Sequence, residues 1–430
     1  MDAQAISLNT IIGNENSNIL KMLSERGKNI YFPKLGILAQ SAQAKGKGIN
    51  ATIGEAFDED GTSLHLPEFD SLVNMPVTNI FPYAPSYGKP ELRNYWKESV
   101  YKKNPSLGNV LISNPIATNG LTHGLSVAGY LFTDPDDTVL LSDHYWENYN
   151  LIFENAYGAK ISTFELFKDG RFNVEDFGNK LSKANSDKII LLLNFPNNPA
   201  GYTPLITETD GIVRAIKKAA DSGKKIVVLI DDAYFGLVYE SDVFPESIFV
   251  KLASLSENVL AVKLDGPTKE DYVWGFRVGF ITFGFKGANT TQLKALENKA
   301  AGAVRGTISN VSCLSQAILL KGYTAPEYAA QKKQKYEVLA NRVRRIHTTL
   351  KEHPEYAESF EVMPFNSGYF MCVKPIGVDN EELRKELIAN YDTGVIVLSG
   401  LIRLAFSSVP IQYIDTLFAN LHSAIRKLRK

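Results

Sequence analysis

The chain has 430 residues with 46 basic and 47 acidic side chains, a formal net charge of −1, and 44% hydrophobic residues. That composition excludes disorder and supplies a large core, and the length suggests two or three domains. Balanced charge argues against a nucleic-acid partner, which would want a basic excess, and apolar runs such as 189–193 and 226–230 are too short to span a membrane.

Residues 1–75 are read as an N-terminal arm and part of a small domain, with a helix near Asn16–Gly27 and a Gly/Asp-rich stretch from Ile53 to Gly61. The first residues carry neither a basic n-region nor an apolar h-region, so no secretory signal is expected and the expected location is cytoplasmic. Residues 76–310 are read as a large domain. Short apolar runs predict strands at Val110–Ser113, Thr138–Ser142, Lys160–Phe164, Lys188–Asn194, Ile226–Asp231, Val259–Leu264 and Arg277–Phe283. Several are almost continuously apolar, as strands covered on both faces are. Between or beside them, helices are predicted at Leu121–Leu131, Val174–Ala184, Asp210–Ser222, Pro245–Ser256 and Gln292–Arg305. This alternation predicts an α/β fold with a mostly parallel central sheet flanked by helices and ligand sites at strand carboxyl ends.

Residues 311–430 are read as a C-terminal small domain. Helices are predicted at Val311–Gly322 and Pro326–Glu352, then a strand pair (Phe360–Pro364, Gly368–Val373) and a helix Asn380–Tyr391. A second strand pair (Gly394–Leu398, Leu401–Ser407) and a helix Ile411–Leu428 with a basic end (Arg426, Lys427, Arg429, Lys430) follow. Both chain ends are expected to pack together as a smaller α+β domain. Cys313 and Cys372 lie outside any CxxC pattern, and no histidine pair has HExxH or HxH spacing, so neither zinc nor a disulfide framework is expected.

The chemistry-bearing motifs cluster just after predicted strands. Asn194-Phe195-Pro196-Asn197-Asn198-Pro199-Ala200-Gly201 forces an irregular loop that presents side-chain amides, with Asn198-Pro199 a candidate cis bond. Asp231-Asp232-Ala233-Tyr234 ends an apolar strand with carboxylates, and a carboxylate there needs a cationic partner, or a ligand proton, to offset its desolvation. A nucleotide-hydrolysing reading fails because the chain has no GxxxxGK[ST] loop. Lys269 follows the next strand, with Arg277 eight residues on, and a lysine of lowered pKa can attack a carbonyl. Ala117-Thr118-Asn119-Gly120-Leu121-Thr122 opens a helix whose free N–H groups suit an anion.

In this order and spacing the motifs resemble the class I/II aminotransferases, pyridoxal-phosphate (PLP) enzymes of fold type I and of the aspartate-aminotransferase kind. The family's N-P-T-G is matched by Asn198-Pro199-Ala200-Gly201, its D-x-A/x-Y by Asp231-Asp232-Ala233-Tyr234, and its lysine and arginine by Lys269 and Arg277-Val278-Gly279. Tyr83 to Arg93 matches its Y-x-x-x-x-G-x-x-x-L-R stretch, and Leu401 to Phe406 its carboxylate-binding strand. The resemblance implies an aminotransferase moving an amino group between an α-amino acid and a 2-oxo acid by a ping-pong cycle through a Lys269 aldimine. It further implies that Asp231 pairs with the pyridine nitrogen, that Asn198 and Tyr234 bond the ring O3′, and that Trp146 stacks on the ring, with Tyr145 as its alternative. Gly120, Leu121 and Thr122 would hold the phosphate through backbone N–H groups, aided by Thr268 and Arg277. Tyr83 would reach the phosphate of a neighbouring subunit, which implies a homodimer with shared sites. Arg403, helped by Gly54 and Asn198, would clamp the substrate carboxylate. His123 and His144 are read as structural.

The alternatives are a PLP lyase or synthase on the same fold, or a PLP-binding sensor without turnover. Two departures stand out. Gly266 occupies the place where many members carry a serine, three residues before the lysine. Only Leu398-Ser399-Gly400-Leu401-Ile402 separate Val397 from Arg403, so the usual longer covering loop is absent and a more open pocket is expected.

Overall fold

The computed structural model describes residues 1–15, 17–31, 36–184 and 186–429. Asn16, at the start of the first predicted helix, and Lys430, in the basic end, lie outside the described residues. Seven strands build the central sheet: β1 (Ile116–Thr118), β2 (Thr138–Ser142), β3 (Lys160–Phe164), β4 (Lys188–Asn194), β5 (Lys225–Asp231), β6 (Val259–Asp265) and β7 (Gly279–Phe285), in the order β1-β7-β6-β5-β4-β2-β3. β7 runs antiparallel to both its neighbours; the other pairings are parallel. β4, β5 and β6 are Ile/Val/Leu runs buried almost throughout, which is why their sequences lack alternation. Their register aligns Asn194 with Asp231 and Asp231 with Leu264, so three adjacent strands end at one level.

A second, antiparallel sheet is formed by β8 (Phe360–Val362), β9 (Met371–Pro375), β10 (Ile396–Leu398) and β11 (Leu401–Leu404), in the order β8-β9-β11-β10. Ile49–Asn50 pairs in parallel with Thr393–Gly394, and Ile49 and Ala51 share a core with Val343, Met371, Leu404 and Phe418, so the N-terminal segment completes this smaller unit. β10 and β11 are joined by Ser399 and Gly400, both left-handed (φ 49° and 75°), the conformation of a two-residue hairpin whose twist suits the strands.

The helices that bear on the site are α1 (Ile37–Gln43), α2 (Pro90–Lys103), α3 (Gly120–Phe132), α4 (Pro267–Glu270), α5 (Cys313–Tyr323) and α6 (Tyr328–Glu352). α2 has Pro at its first position and buries Leu92, Trp96 and Val100, four apart on one face. No helix among the described residues is long and apolar enough to cross a membrane.

Several expected elements change: the strand expected at Leu401–Ser407 ends at Leu404, that at Gly368–Val373 starts at Met371, and four further changes have visible local causes. The strand placed at Val110–Ser113 begins instead at Ile116: Ser113 donates one bond to Phe283, but Pro115 has no N–H to extend the ladder. Arg277 lies outside β7, left-handed at φ 53°, and pairing starts at Gly279. The helix placed at Pro245–Ser256 contracts to Phe249–Leu252, because Ser247 turns its hydroxyl to Asp232 and its N–H to Asn104. The single helix placed near residues 16–27 is divided, with Ser17–Met22 and Glu25–Asn29 separated at Ser24, whose side chain caps the latter.

Candidate active site

A cleft of about 710 Å³ opens where β4, β5 and β6 end, between the two sheets, and Lys269, Asp231, Tyr234, Asn198, Trp146, Thr268, Arg277 and Arg403 all line it. Asp231 ends β5 and is buried. The Tyr149 hydroxyl donates to its Oδ2 at 2.7 Å, the Ala233 N–H to its Oδ1 at 3.1 Å, and the Asn194 amide to its carbonyl at 2.9 Å. Burial raises the Asp231 pKa, and the Tyr149 bond and Lys269 only partly oppose it. Such a carboxylate gains from a buried cationic partner.

Lys269 sits on α4, a single turn entered through Gly266 and Pro267. Burial lowers its pKa to about 8, with Asp231 opposing and Arg277 adding to the shift. Its Nζ lies 5.0 Å from the centre of the Tyr234 ring. That ring packs edge-on against Tyr369 and Phe370 at 5.2 and 5.7 Å, and burial pushes the Tyr234 pKa up.

Facing these residues is the amino end of α3. Leu121 and Thr122 line the cleft, while Gly120 is left-handed (φ +72°) and lies against Arg277: a Cβ there would fall 2.4 Å from Nη2. Only glycine lets the guanidinium approach the first turn so closely. Thr268 Oγ1 is buried without a hydrogen-bond partner among the described residues.

On the far wall, Arg403 of β11 is buried. Its Nη1 donates to Asn198 Oδ1 at 3.1 Å, its Nη2 to the Thr52 carbonyl at 3.2 Å, and its guanidinium lies 4.3 Å from the Phe370 ring centre. Nε has no partner among the described residues, so one face of the fork keeps a free donor. Asn198 is itself fixed by donation of its N–H to Asn194 Oδ1, and Asn198-Pro199 is cis, as is Phe195-Pro196.

Gly54 also lines the cleft, and Trp146 stands edge-on to Tyr149 at 5.6 Å. Tyr145, the alternative to Trp146, does not line it; it stacks on Tyr149 at 6.4 Å. Tyr83 is 91% exposed and stands apart from the cleft of its own chain. His123 bonds Thr307 and His144 bonds Asp143, both outside the cleft.

Sequence reasoning missed Tyr149, Phe370, Thr52 and α1. Tyr149 lies three residues beyond Trp146, just before a π-helical turn (Asn150–Ala156), a local irregularity that often accompanies functional sites. α1 lies beside β10: Ile37 and Ser41 line the cleft, and the Gln40 amide exchanges two hydrogen bonds with Val397 of β10. Gly266 is explained sterically. A Cβ there would lie 2.9 Å from Gly279 Cα and 3.0 Å from the Val278 carbonyl, so a serine does not fit.

The family model for aminotransferase class I and II matches residues 78–421. An aspartate aminotransferase of Thermotoga maritima is 28% identical over 185 residues, 42% of this chain and 44% of that protein. Across that protein and two other curated relatives, the chain spans 44–60% of their own lengths. An aminotransferase structure from Anaerococcus prevotii superimposes with a TM-score of 0.84 at 25% identity, covering 95% of this chain and all of that one. The cytoplasmic aspartate aminotransferase of Saccharomyces cerevisiae shares the fold, with a TM-score of 0.76 at 20% identity over 96% of this chain and all of that one. With most of its length matched to the family model and its whole architecture superimposable, the chain belongs to the class I and II aminotransferases.

Proposed function

We propose that the chain is a PLP-dependent aminotransferase that moves an amino group between an α-amino acid and a 2-oxo acid by a ping-pong cycle, and that it works as a homodimer in the cytoplasm. The observation that carries this reading is the convergence, in one cleft, of a buried lysine of lowered pKa, a buried carboxylate and a buried arginine with a free donor.

The donor set fits the cofactor. An amine suits its aldehyde, a buried acid its ring nitrogen, and an unpartnered hydroxyl, an arginine and a helix amino end its phosphate. Lys269, Asp231, Asn198, Tyr234 and Trp146 would hold the ring end, and Gly120, Leu121, Thr122, Thr268 and Arg277 the phosphate. When bound, PLP supplies a conjugated electron-withdrawing ring next to the substrate Cα.

The chain's own residues do the rest. Arg403 binds the substrate α-carboxylate, with its fork held in plane by Asn198 and Thr52 and its face covered by Phe370. Lys269, whose amine is free near pH 8, carries the proton to and from the substrate Cα. Asp231, with its carboxylate oriented by Tyr149, would hold a proton on the ring nitrogen. Trp146, Phe370 and Ile37 exclude water from the reacting atoms.

A spectral half-reaction screen tests the reading. The PLP-loaded chain is mixed with single amino acids, and the visible band is followed as the amino form of the cofactor accumulates. Stoichiometric conversion with release of the 2-oxo acid is expected. Release of ammonia with the cofactor unchanged would establish a lyase instead, and no reaction with any amino acid a sensor.

A further inference from the structure

Immediately after Lys269 come two carboxylates, Glu270 and Asp271, only 6% and 1% exposed, that the proposed chemistry does not use. Glu270 accepts from Lys103 Nζ on both oxygens, at 2.9 and 3.0 Å, and from Lys332 Nζ at 2.7 Å. Asp271 Oδ1 accepts from Lys332 Nζ at 2.8 Å and from the Tyr328 hydroxyl at 2.7 Å; its Oδ2 accepts from the Tyr323 hydroxyl at 3.0 Å. The Lys269 carbonyl accepts from the Tyr369 hydroxyl at 3.0 Å. Three consecutive residues are thus gripped by side chains of α2, α5, α6 and the segment leading into β9.

This grip is costly to assemble. Burial alone would raise the Glu270 pKa, and Lys103 and Lys332 outweigh it and hold the carboxyl below the ordinary carboxylate range. Two buried acids facing two ammonium groups are balanced in charge, yet apolar residues of similar volume often stabilise a fold as well as a buried ion pair does. What an ion cluster with every oxygen satisfied supplies is a single geometry. α4 needs one supplied from outside. It is one turn long, closed by the Asp271 N–H to the Pro267 carbonyl, and an isolated turn does not hold itself.

We propose that the Lys332-centred cluster is a positioning device for Lys269. Lys332 bridges Glu270 and Asp271, and through them it fixes α4 so that the Lys269 amine is presented to the cofactor aldehyde and the substrate Cα. Lys332, Glu270 and Asp271 are positioning residues and touch neither cofactor nor substrate. The proposal rests on the reading of Lys269 as the cofactor lysine. It predicts that disturbing the cluster slows steps made by Lys269 and spares carboxylate binding at Arg403.

The test uses the full chain freed of cofactor and mixed with pyridoxal 5′-phosphate itself. The rate of the visible band is recorded from pH 6 to 10, and the adduct is fixed with borohydride and mapped. Condensation of amine and aldehyde releases one water, and the rate reports how well the amine is aimed. Lys332→Met is expected to slow adduct formation by about 10²-fold, the scale for a catalytic group displaced by about 1 Å. Lys332→Arg should recover most of that rate, and in turnover the Lys332→Met loss should fall on kcat with KM for the amino acid unchanged. A wild-type adduct rate in folded Lys332→Met overturns the proposal, leaving the cluster a fold stabiliser only. If Lys332→Met does not fold, Tyr323→Phe decides, because it keeps all four charges and removes one donor to Asp271: a slower adduct rate supports the proposal and a wild-type rate overturns it. The mapping separates the two readings. An adduct on another lysine, or one formed at full rate in Lys269→Ala, sinks the site assignment and this proposal with it; an adduct on Lys269 that is indifferent to the cluster sinks the proposal alone.

Discussion

Lys269 and Asp231 show how burial sets chemistry at the scale of one side chain. Removing the lysine from water costs its charged form more than Asp231 returns, so its amine is free from about pH 8 upward. Adduct formation with PLP should therefore rise with pH through an inflection near 8; an inflection near 10.5 would mean that the amine stands in water. Asp231 is shifted the other way by burial, and Tyr149 is the donor that limits the shift. A hydrogen bond to a charged group contributes about 1.5–3 kcal/mol, so Tyr149→Phe should slow the half-reaction by about ten- to a hundredfold. Because the lost donor favoured the ionised acid, the acid limb of the rate profile should move to higher pH. An unchanged limb would show that Tyr149 only packs against Trp146. The aspartate and the lysine were legible because each breaks a pattern, a charge at the end of an apolar strand or beyond it. Tyr149 was not, because an aromatic among aromatics carries no such contrast, and its hydrogen bond to Asp231 is made across 82 residues of chain.

Among the elements, the parallel strands were readable to within a residue or two, since apolar runs of five to seven residues bounded by turn formers have few other uses. What failed were places where tertiary contact overrides local pattern: Ser247 drawn to Asp232, and Pro115 delaying the pairing of β1. α1 was invisible for a related reason, as it is held by Gln40 to a strand 357 residues away. Gly266 sits at the junction of two such elements, the end of β6 and the start of β7. As a sequence feature it reads as a missing phosphate ligand; in the fold it is the contact that lets these strand ends close on α3. Gly266→Ser would force backbone atoms apart, and overpacking of this kind costs about 1–3 kcal/mol. The melting temperature should fall by roughly 1 °C per kcal/mol in a chain this large, and PLP affinity should weaken despite the added hydroxyl. A tighter complex with an unchanged melting temperature would show that the serine is accommodated and bonds the phosphate.

At the scale of the whole molecule, the cleft is built by segments far apart in the chain. Thr52 and α1 come from one end, Arg403 from the other, and the strand ends from between. Motif order made the central part of this site legible, whereas the wall formed by α1 depends on how the two ends pack, which no local pattern records. Tyr83 belongs to this scale as well. It is a large aromatic left in solvent, outside the cleft, on a segment that also exposes Val77 and Phe81. Its proposed place at the phosphate of a neighbouring subunit makes each site a composite of two chains. Lys269→Ala abolishes one contribution and Tyr83→Ala weakens the other, so each homodimer has two defective sites. A mixed dimer, however, has one site that combines the intact Lys269 of one subunit with the intact Tyr83 of the other. Co-refolding equal amounts of the two variants makes half the dimers mixed, and half of their sites intact. Activity should therefore return to about a quarter of the wild-type value above the sum of the separate variants. Absence of any gain, in a mixture shown by tagged pull-down to contain mixed dimers, would place Tyr83 outside the site and leave each chain catalytically independent.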